Sequence, residues 1–169
     1  TAPNWSDFGI DNQEFWQGLS ILDPFDLSSG FRCFYQMYAD RFQKRRWGDK
    51  TPGHLYSMTT IQERLPEAHF VHLIRDGRDV AISLQPTNEI RGLANFWAHG
   101  IRQAHEQAEK LNHYLEIRYE ELVLSPETTL RRICQFLKLP FEAGMVEFYK
   151  RAPDRLSEHQ SRVTNDGTV

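Results

Sequence analysis

Hydrophobic positions change period within one stretch, His69–Ser83, which reads HFVHLIRDGRDVAIS. Phe70, Val71, Leu73 and Ile74 form a nearly continuous apolar run, the pattern of a strand buried between layers, whereas Val80, Ala81 and Leu84 recur at helical spacing. The pattern predicts a strand over 69–74, a turn through Arg75, Asp76 and Gly77, and a helix over 76–84. Such a turn leaves backbone N–H groups free beside fixed positive charge, which suits a phosphate.

The same reading extends along the chain. Residues 1–29 carry scattered aromatics (Trp5, Phe8, Phe15, Trp16, Phe25) among Asn, Asp, Pro and Ser, and read as a surface-wrapping segment with one short helix near 12–19. Phe31, Phe34, Tyr35, Tyr38 and Phe42 mark an amphipathic helix over 29–44. An extended piece at Trp47–Asp49 leads to Lys50-Thr51-Pro52, where proline keeps the preceding residue out of a helix. A helix over 53–65 follows and stops at Pro66. After a polar loop at 86–90, residues 92–111 form a long helix with Leu93, Phe96, Trp97, Gly100, Ile101, Ala104, Ala108 and Leu111 on one face. Residues 114–119 (YLEIRY) alternate as a second strand, and a strand, helix, strand order implies parallel pairing with a right-handed crossover. Ser125-Pro126-Glu127 opens a helix that carries Leu130, Ile133, Cys134 and Leu137 inward and ends at Leu139-Pro140. A last helix is predicted over 143–151, and 153–169 is a polar tail. The fold class is α/β, a three-layer sandwich with a short parallel sheet flanked by helices.

Composition narrows the classes without choosing among them. With 169 residues, 40% hydrophobic and 25% charged, the chain reads as one soluble domain, 1–169. A net charge of −3 argues against a surface built to grip nucleic acid, so any polyanion site is local. Cys33 and Cys134 both fall on predicted helices and read as buried free thiols, which places the chain in a reducing, cytoplasmic compartment. No apolar run is long enough to span a bilayer. The chain starts at Thr1 without an initiator methionine, which points to a segment upstream.

Ligands of parallel α/β sheets bind beyond the carboxyl ends of the strands. Three such ends are proposed: Trp47–Asp49 delivers Lys50 and Thr51, the strand at 69–74 delivers Arg75, and the strand at 114–118 delivers Tyr119 and Glu120. Cations for phosphates and a ring on which a base can stack are the inventory of a nucleotide site, and Ser83 adds a hydroxyl two turns into the helix after Arg75. Each member also has a plainer reading. Arg75 and Arg78 beside Asp76 and Asp79 equally form a solvated salt-bridge cluster, Lys50-Thr51-Pro52 is ordinary turn chemistry, and Tyr119 is a strand-end aromatic packed on the core. Other chemistries fare worse. The seven histidines show no HExxH spacing, and no GxSxG, GxxxxGK[ST] or GxGxxG element occurs.

The order GDKTP, then an apolar strand into LIRDGRDVAIS, then RYEELVLSPETTLRRICQFLKLP resembles the sulfotransferases, in particular the bacterial and tyrosylprotein branch, over residues 47–140. The resemblance implies a P-loop-kinase-like fold and transfer of a sulfuryl group from 3′-phosphoadenosine 5′-phosphosulfate to a hydroxyl or amine, without a required metal. It implies that Arg75 and Ser83 grip the 3′-phosphate, that Tyr119 lies against adenine, and that Lys50, with Thr51 beside it, contacts the transferring sulfuryl group. Ser161 and Arg162, in a tail that would cover the cofactor, are further candidates for contact, and His54 is the nearest candidate for a proton acceptor. Residues 1–29 and 85–91 would form the acceptor wall. The family's first strand, its glycine-containing loop and the acidic residue after it have no counterpart here. The expectation is therefore a fragment, inactive as it stands, whose missing half lies upstream. A phosphotransferase of related fold and a non-catalytic domain are the competing readings.

Overall fold

The computed structural model describes residues 5–84 and 90–150. It divides into two compact units, Thr1–Lys50 with Phe148–Val169, and Thr51–Glu147. The predicted loop at 86–90, most of the proposed acceptor segment at 85–91, the polar tail, and with it Ser161 and Arg162, lie outside the described residues.

In the first unit, α1 (Trp5–Phe8), α2 (Asn12–Ser20) and α3 (Leu27–Asp40) gather around Phe34. Its ring meets those of Trp5, Phe8 and Phe15 at centroid distances of 5.7, 5.0 and 5.8 Å, so three aromatics of the N-terminal segment dock, whereas Trp16 and Phe25 stay exposed. α2 starts where expected and α3 starts two residues earlier than its periodicity, each behind an aspartate cap: Asp11 accepts from the Gln13 and Glu14 N–H groups, and Asp26 accepts from that of Ser29. Periodicity also overruns the end of α3. Its last predicted position, Phe42, sits in a turn whose next residue, Gln43, has φ +53°.

In the second unit, β1 (Phe70–Ile74) and β2 (Tyr114–Arg118) pair in parallel, with Phe70 opposite Tyr114 and Ile74 opposite Arg118. This is the expected α/β arrangement. The helices α5 (Gly77–Leu84) and α6 (Ile90–Ala108) follow β1 and pack on each other, and α7 (Tyr119–Leu124) and α8 (Pro126–Leu137) follow β2 and pack along it. Before the sheet, α4 (Met58–Arg64) docks on α6 through Gln107, whose side chain donates to the Leu55 carbonyl at 2.7 Å and accepts from the Thr59 N–H at 3.2 Å.

Alternation puts Phe70, His72 and Ile74 on one face of β1 with Tyr114, Glu116 and Arg118 beside them. His105 of α6 reaches that face and bonds Glu116 at 2.7 Å, while the Tyr114 hydroxyl bonds His72 at 2.7 Å. Burial lowers the His72 pKa below its ordinary value. On the other face Ile117 is 1% exposed, yet its partner across the ladder, Leu73, is 47% exposed and Val71 is 38% exposed. The apolar run of β1 therefore does not have both faces covered among the described residues, because α8 packs along β2 alone.

Four further expectations differ, besides the ends of α3 and α6. Trp47–Asp49 is no strand; among the described residues the sheet has two strands, so Lys50 and Thr51 do not stand at a strand end. The helix expected over 53–65 is a 3-10 turn, Pro52–Tyr56, interrupted at Ser57 (φ −137°) before α4 begins. The second strand stops at Arg118, and Tyr119 is already helical, the first residue of α7. The helix expected over 143–151 is two short 3-10 turns, Ala143–Met145 and Phe148–Lys150.

Candidate functional site

The site is built on what happens where the ladder ends. Ile74 is the last residue of β1, so the peptide group joining Arg75 to Asp76 has no strand to pair with. Side chains satisfy it. The Arg75 carbonyl accepts from the Trp97 indole N–H at 3.0 Å, and the Asp76 N–H donates to Glu120 Oε1 at 2.8 Å. The Asp76 N–H, and then the N–H of Glu120 itself, hold the Glu120 carboxyl below its ordinary pKa. Gly77 is required at the next position, since a Cβ there would lie 2.8 Å from Cδ2 of Trp97.

The free N–H groups expected at the start of α5 are not free. Asp76 caps the helix, its Oδ1 accepting from the Arg78 N–H at 2.8 Å, and Arg78 returns its guanidinium to the same carboxylate at 3.0 and 2.7 Å. The Arg78 side chain and then its backbone N–H hold the Asp76 carboxyl far below the usual carboxylate range. Asp76 and Arg78 shape the turn.

Arg75 places its guanidinium over the Tyr119 ring, 5.3 Å from the centroid. Its Nε is 3.8 Å from Asp79 Oδ2, a loose pair with both side chains about half exposed. Asp79 and Ser83 are four residues apart on α5 and share a face, so the hydroxyl of Ser83 lies on the stripe of the helix that addresses Arg75. Ser83 is exposed and Tyr119 is 39% exposed. The structure thus brings Arg75 and Tyr119 together, with Ser83 one turn beyond Asp79 along α5. Beside the turn opens a cavity of about 460 Å³ with mostly apolar walls, bordered by Arg75, Gly77, Trp97, Ile101 and Arg118. The cation therefore stands at a concave surface.

Lys50 belongs to the first unit and Thr51 to the second. Lys50 is exposed and makes no ion pair among the described residues. The residues just before it are held by α3: Trp47 stacks on Tyr35 at 4.4 Å with planes 12° apart, and the Tyr35 hydroxyl donates to Asp49. Desolvation, then that carboxylate, push the Tyr35 hydroxyl above its ordinary pKa. Thr51 is extended (φ −128°, ψ 118°) and its carbonyl accepts from the N–H of His54, which is half-buried in the 3-10 turn.

Local reading of the sequence did not find Trp97, Glu120 or Tyr35 in these roles. Trp97 is visible only as one more apolar position on the inner face of α6, and Glu120 only as the neighbour of Tyr119.

A profile of the sulfotransferase family matches residues 20–143. The chain belongs to the sulfotransferase family. It is 31% identical to protein-tyrosine sulfotransferase A of Caenorhabditis elegans over 129 residues, covering 70% of this chain and 31% of that protein. It is 30% identical to omega-hydroxy-beta-dihydromenaquinone-9 sulfotransferase Stf3 of Mycobacterium tuberculosis over 155 residues, 80% of this chain and 38% of that protein. The chain thus spans about a third of the length of these relatives. Among solved structures, the sulfotransferase domain from the curacin biosynthetic pathway superposes with a TM-score of 0.54 at 20% identity, over 79% of this chain and 57% of that one, which establishes a shared fold.

Proposed function

We propose that this sulfotransferase-family chain carries the nucleotide-binding half of an enzyme that transfers a sulfuryl group from 3′-phosphoadenosine 5′-phosphosulfate to a hydroxyl or amine. The observation that carries the reading is the Arg75–Tyr119 pair at 5.3 Å, held at the end of β1 beside the Ser83 face of α5. A fixed guanidinium next to a hydroxyl suits a ribose 3′-phosphate, and an adjacent half-exposed ring suits adenine. The fit has one opposing charge. Asp79 lies near Arg75, and a bound phosphate would take over that loose pairing.

In the proposed reaction the acceptor oxygen or nitrogen attacks sulfur, the sulfur–oxygen bond to the 5′-phosphate breaks, and the acceptor gives up its proton. Negative charge collects on the bridging and nonbridging oxygens, where Lys50 would act as an electrostatic catalyst, with Thr51 as a neighbouring donor. His54, half-buried one turn past Lys50, is the nearest candidate to take that proton, with a structural role as its plainer reading. The relatives' names give a protein tyrosine and a hydroxylated menaquinone as acceptors; for this chain the acceptor class is a hydroxyl-bearing or amine-bearing molecule.

Calorimetric titration of the full-length protein with adenosine 3′,5′-bisphosphate, adenosine 5′-monophosphate and ATP tests the donor. The bisphosphate should bind tightest. Tighter binding of ATP would favour a phosphotransferase, and no nucleotide binding at all would favour a non-catalytic domain.

A further inference from the structure

We infer that Trp97 and Glu120 are positioning residues for Arg75, clamping one peptide group from both ends so that the guanidinium emerges over Tyr119; the inference rests on the donor reading above. The Arg75 carbonyl and the Asp76 N–H belong to the same peptide plane. Trp97 holds the first at 3.0 Å and Glu120 the second at 2.8 Å. With both ends tied to different helices the plane cannot turn without breaking a bond, which fixes where the chain leaves Arg75 relative to α6 and α7.

The two ties are not equivalent. Glu120 follows Tyr119 directly, so one turn of α7 supplies both the ring beneath the guanidinium and the acceptor that fixes its backbone. This couples the separation of Arg75 and Tyr119 to a single helical turn. Trp97 reaches in from α6, 22 residues away, and its ring closes over Gly77, leaving no room for a side chain at the turn. Trp97 and Glu120 would thereby tune recognition of the 3′-phosphate without touching it.

The test uses full-length protein and two nucleotides that differ in that phosphate. Trp97→Phe keeps a ring against Gly77 and removes the donor. Glu120→Ala removes the acceptor, while Glu120→Gln keeps an acceptor and removes the charge. Trp97→Phe and Glu120→Ala should each weaken adenosine 3′,5′-bisphosphate by about three- to tenfold. Adenosine 5′-monophosphate should stay within about twofold, Glu120→Gln should restore most of the affinity, and Trp97→Phe should add nothing in an Arg75→Ala background. Equal weakening of both nucleotides, or a Trp97→Phe effect that persists without Arg75, would mean a merely structural role and overturn the inference. So would variants that leave the bisphosphate preference intact. Wild-type protein without that preference would overturn the donor reading itself, a result read before any variant is made. Should Trp97→Phe fail to fold, the Glu120→Ala and Glu120→Gln pair decides alone.

Discussion

Arg75, in the second unit, and Lys50, in the first, are the two cations given roles in the proposal, and the chain presents each by different physics. Arg75 follows a strand, and its orientation is set through the backbone: one peptide group tied to Trp97 and Glu120, one helix cap made by Asp76, one glycine under an indole. Lys50 follows no strand. Its segment is held through side chains, a stacked Tyr35–Trp47 pair and a hydroxyl on Asp49. A group that must bind a fixed phosphate gains from a backbone anchor, because little freedom remains to be lost on binding. A flexible lysine whose immediate neighbours alone are anchored can follow charge as it moves between oxygens.

The comparison breaks most visibly at Lys50. In the full-length protein, Lys50→Ala should lower kcat about 10²- to 10³-fold while leaving the affinity for adenosine 3′,5′-bisphosphate within about threefold, measured by steady-state kinetics and calorimetry. An equal loss in affinity would place Lys50 in ground-state binding. Arg75→Ala should do the reverse, weakening the bisphosphate by roughly 10- to 150-fold, the equivalent of about 1.5–3 kcal/mol for a charged hydrogen bond. Gly77→Ala forces a methyl to within 2.8 Å of the Trp97 ring and should cost about 1–3 kcal/mol of stability, seen as a lowered urea midpoint, together with weaker bisphosphate binding. Tyr35→Phe should lower kcat by about three- to tenfold with nucleotide affinity unchanged, since it loosens only the segment before Lys50. Loss of nucleotide affinity in Tyr35→Phe would erase the distinction between the two anchors.

How much of this was legible in the sequence follows the same division. The strand, turn and helix around Arg75 could be read because a change of hydrophobic period is a local signal, and the parallel pairing followed from the order of elements. The turn's internal chemistry was legible in part: the pairing of Asp76 with Arg78 was among the readings, while the N-cap role of Asp76 was passed over in favour of a free helix terminus, although Asp at that position is a strong capping signal. The strand end at Trp47–Asp49 was inferred from a proline and a short extended run, which describe backbone preference and not pairing. Nothing local marks the absence of a partner strand. Trp97 and Glu120 lie 22 residues from Arg75 and 44 residues from Asp76 respectively, and no single-sequence pattern reports which indole or carboxylate will meet a given peptide group. The division into two units is equally silent, because residues 50 and 51 are joined by an unremarkable peptide.

The smallest effect bears on the Arg75 anchor alone. The Asp76 carboxyl is held below its ordinary value of 3.8, first by the Arg78 side chain and then by the Arg78 N–H. A group whose folded pKa is depressed adds stability that is complete above its unfolded pKa and disappears as pH falls through the folded one. The Arg78 side chain is 88% exposed, so solvent screens the pair and the contribution is small. Asp76→Asn keeps an oxygen for the Arg78 N–H and removes the charge. Its urea midpoint should fall slightly below wild type by a constant margin from pH 7 to pH 5, and the margin should narrow below about pH 4 as the carboxylate of the unfolded wild-type chain takes up a proton while the folded one stays ionised. Asp76→Ala, which removes the cap as well, should lose more at every pH, so the gap between the two variants reports the cap and the narrowing margin reports the charge. A margin that stays constant into strong acid would show that the cap alone stabilises this turn, and that Arg78 adds nothing to the presentation of Arg75.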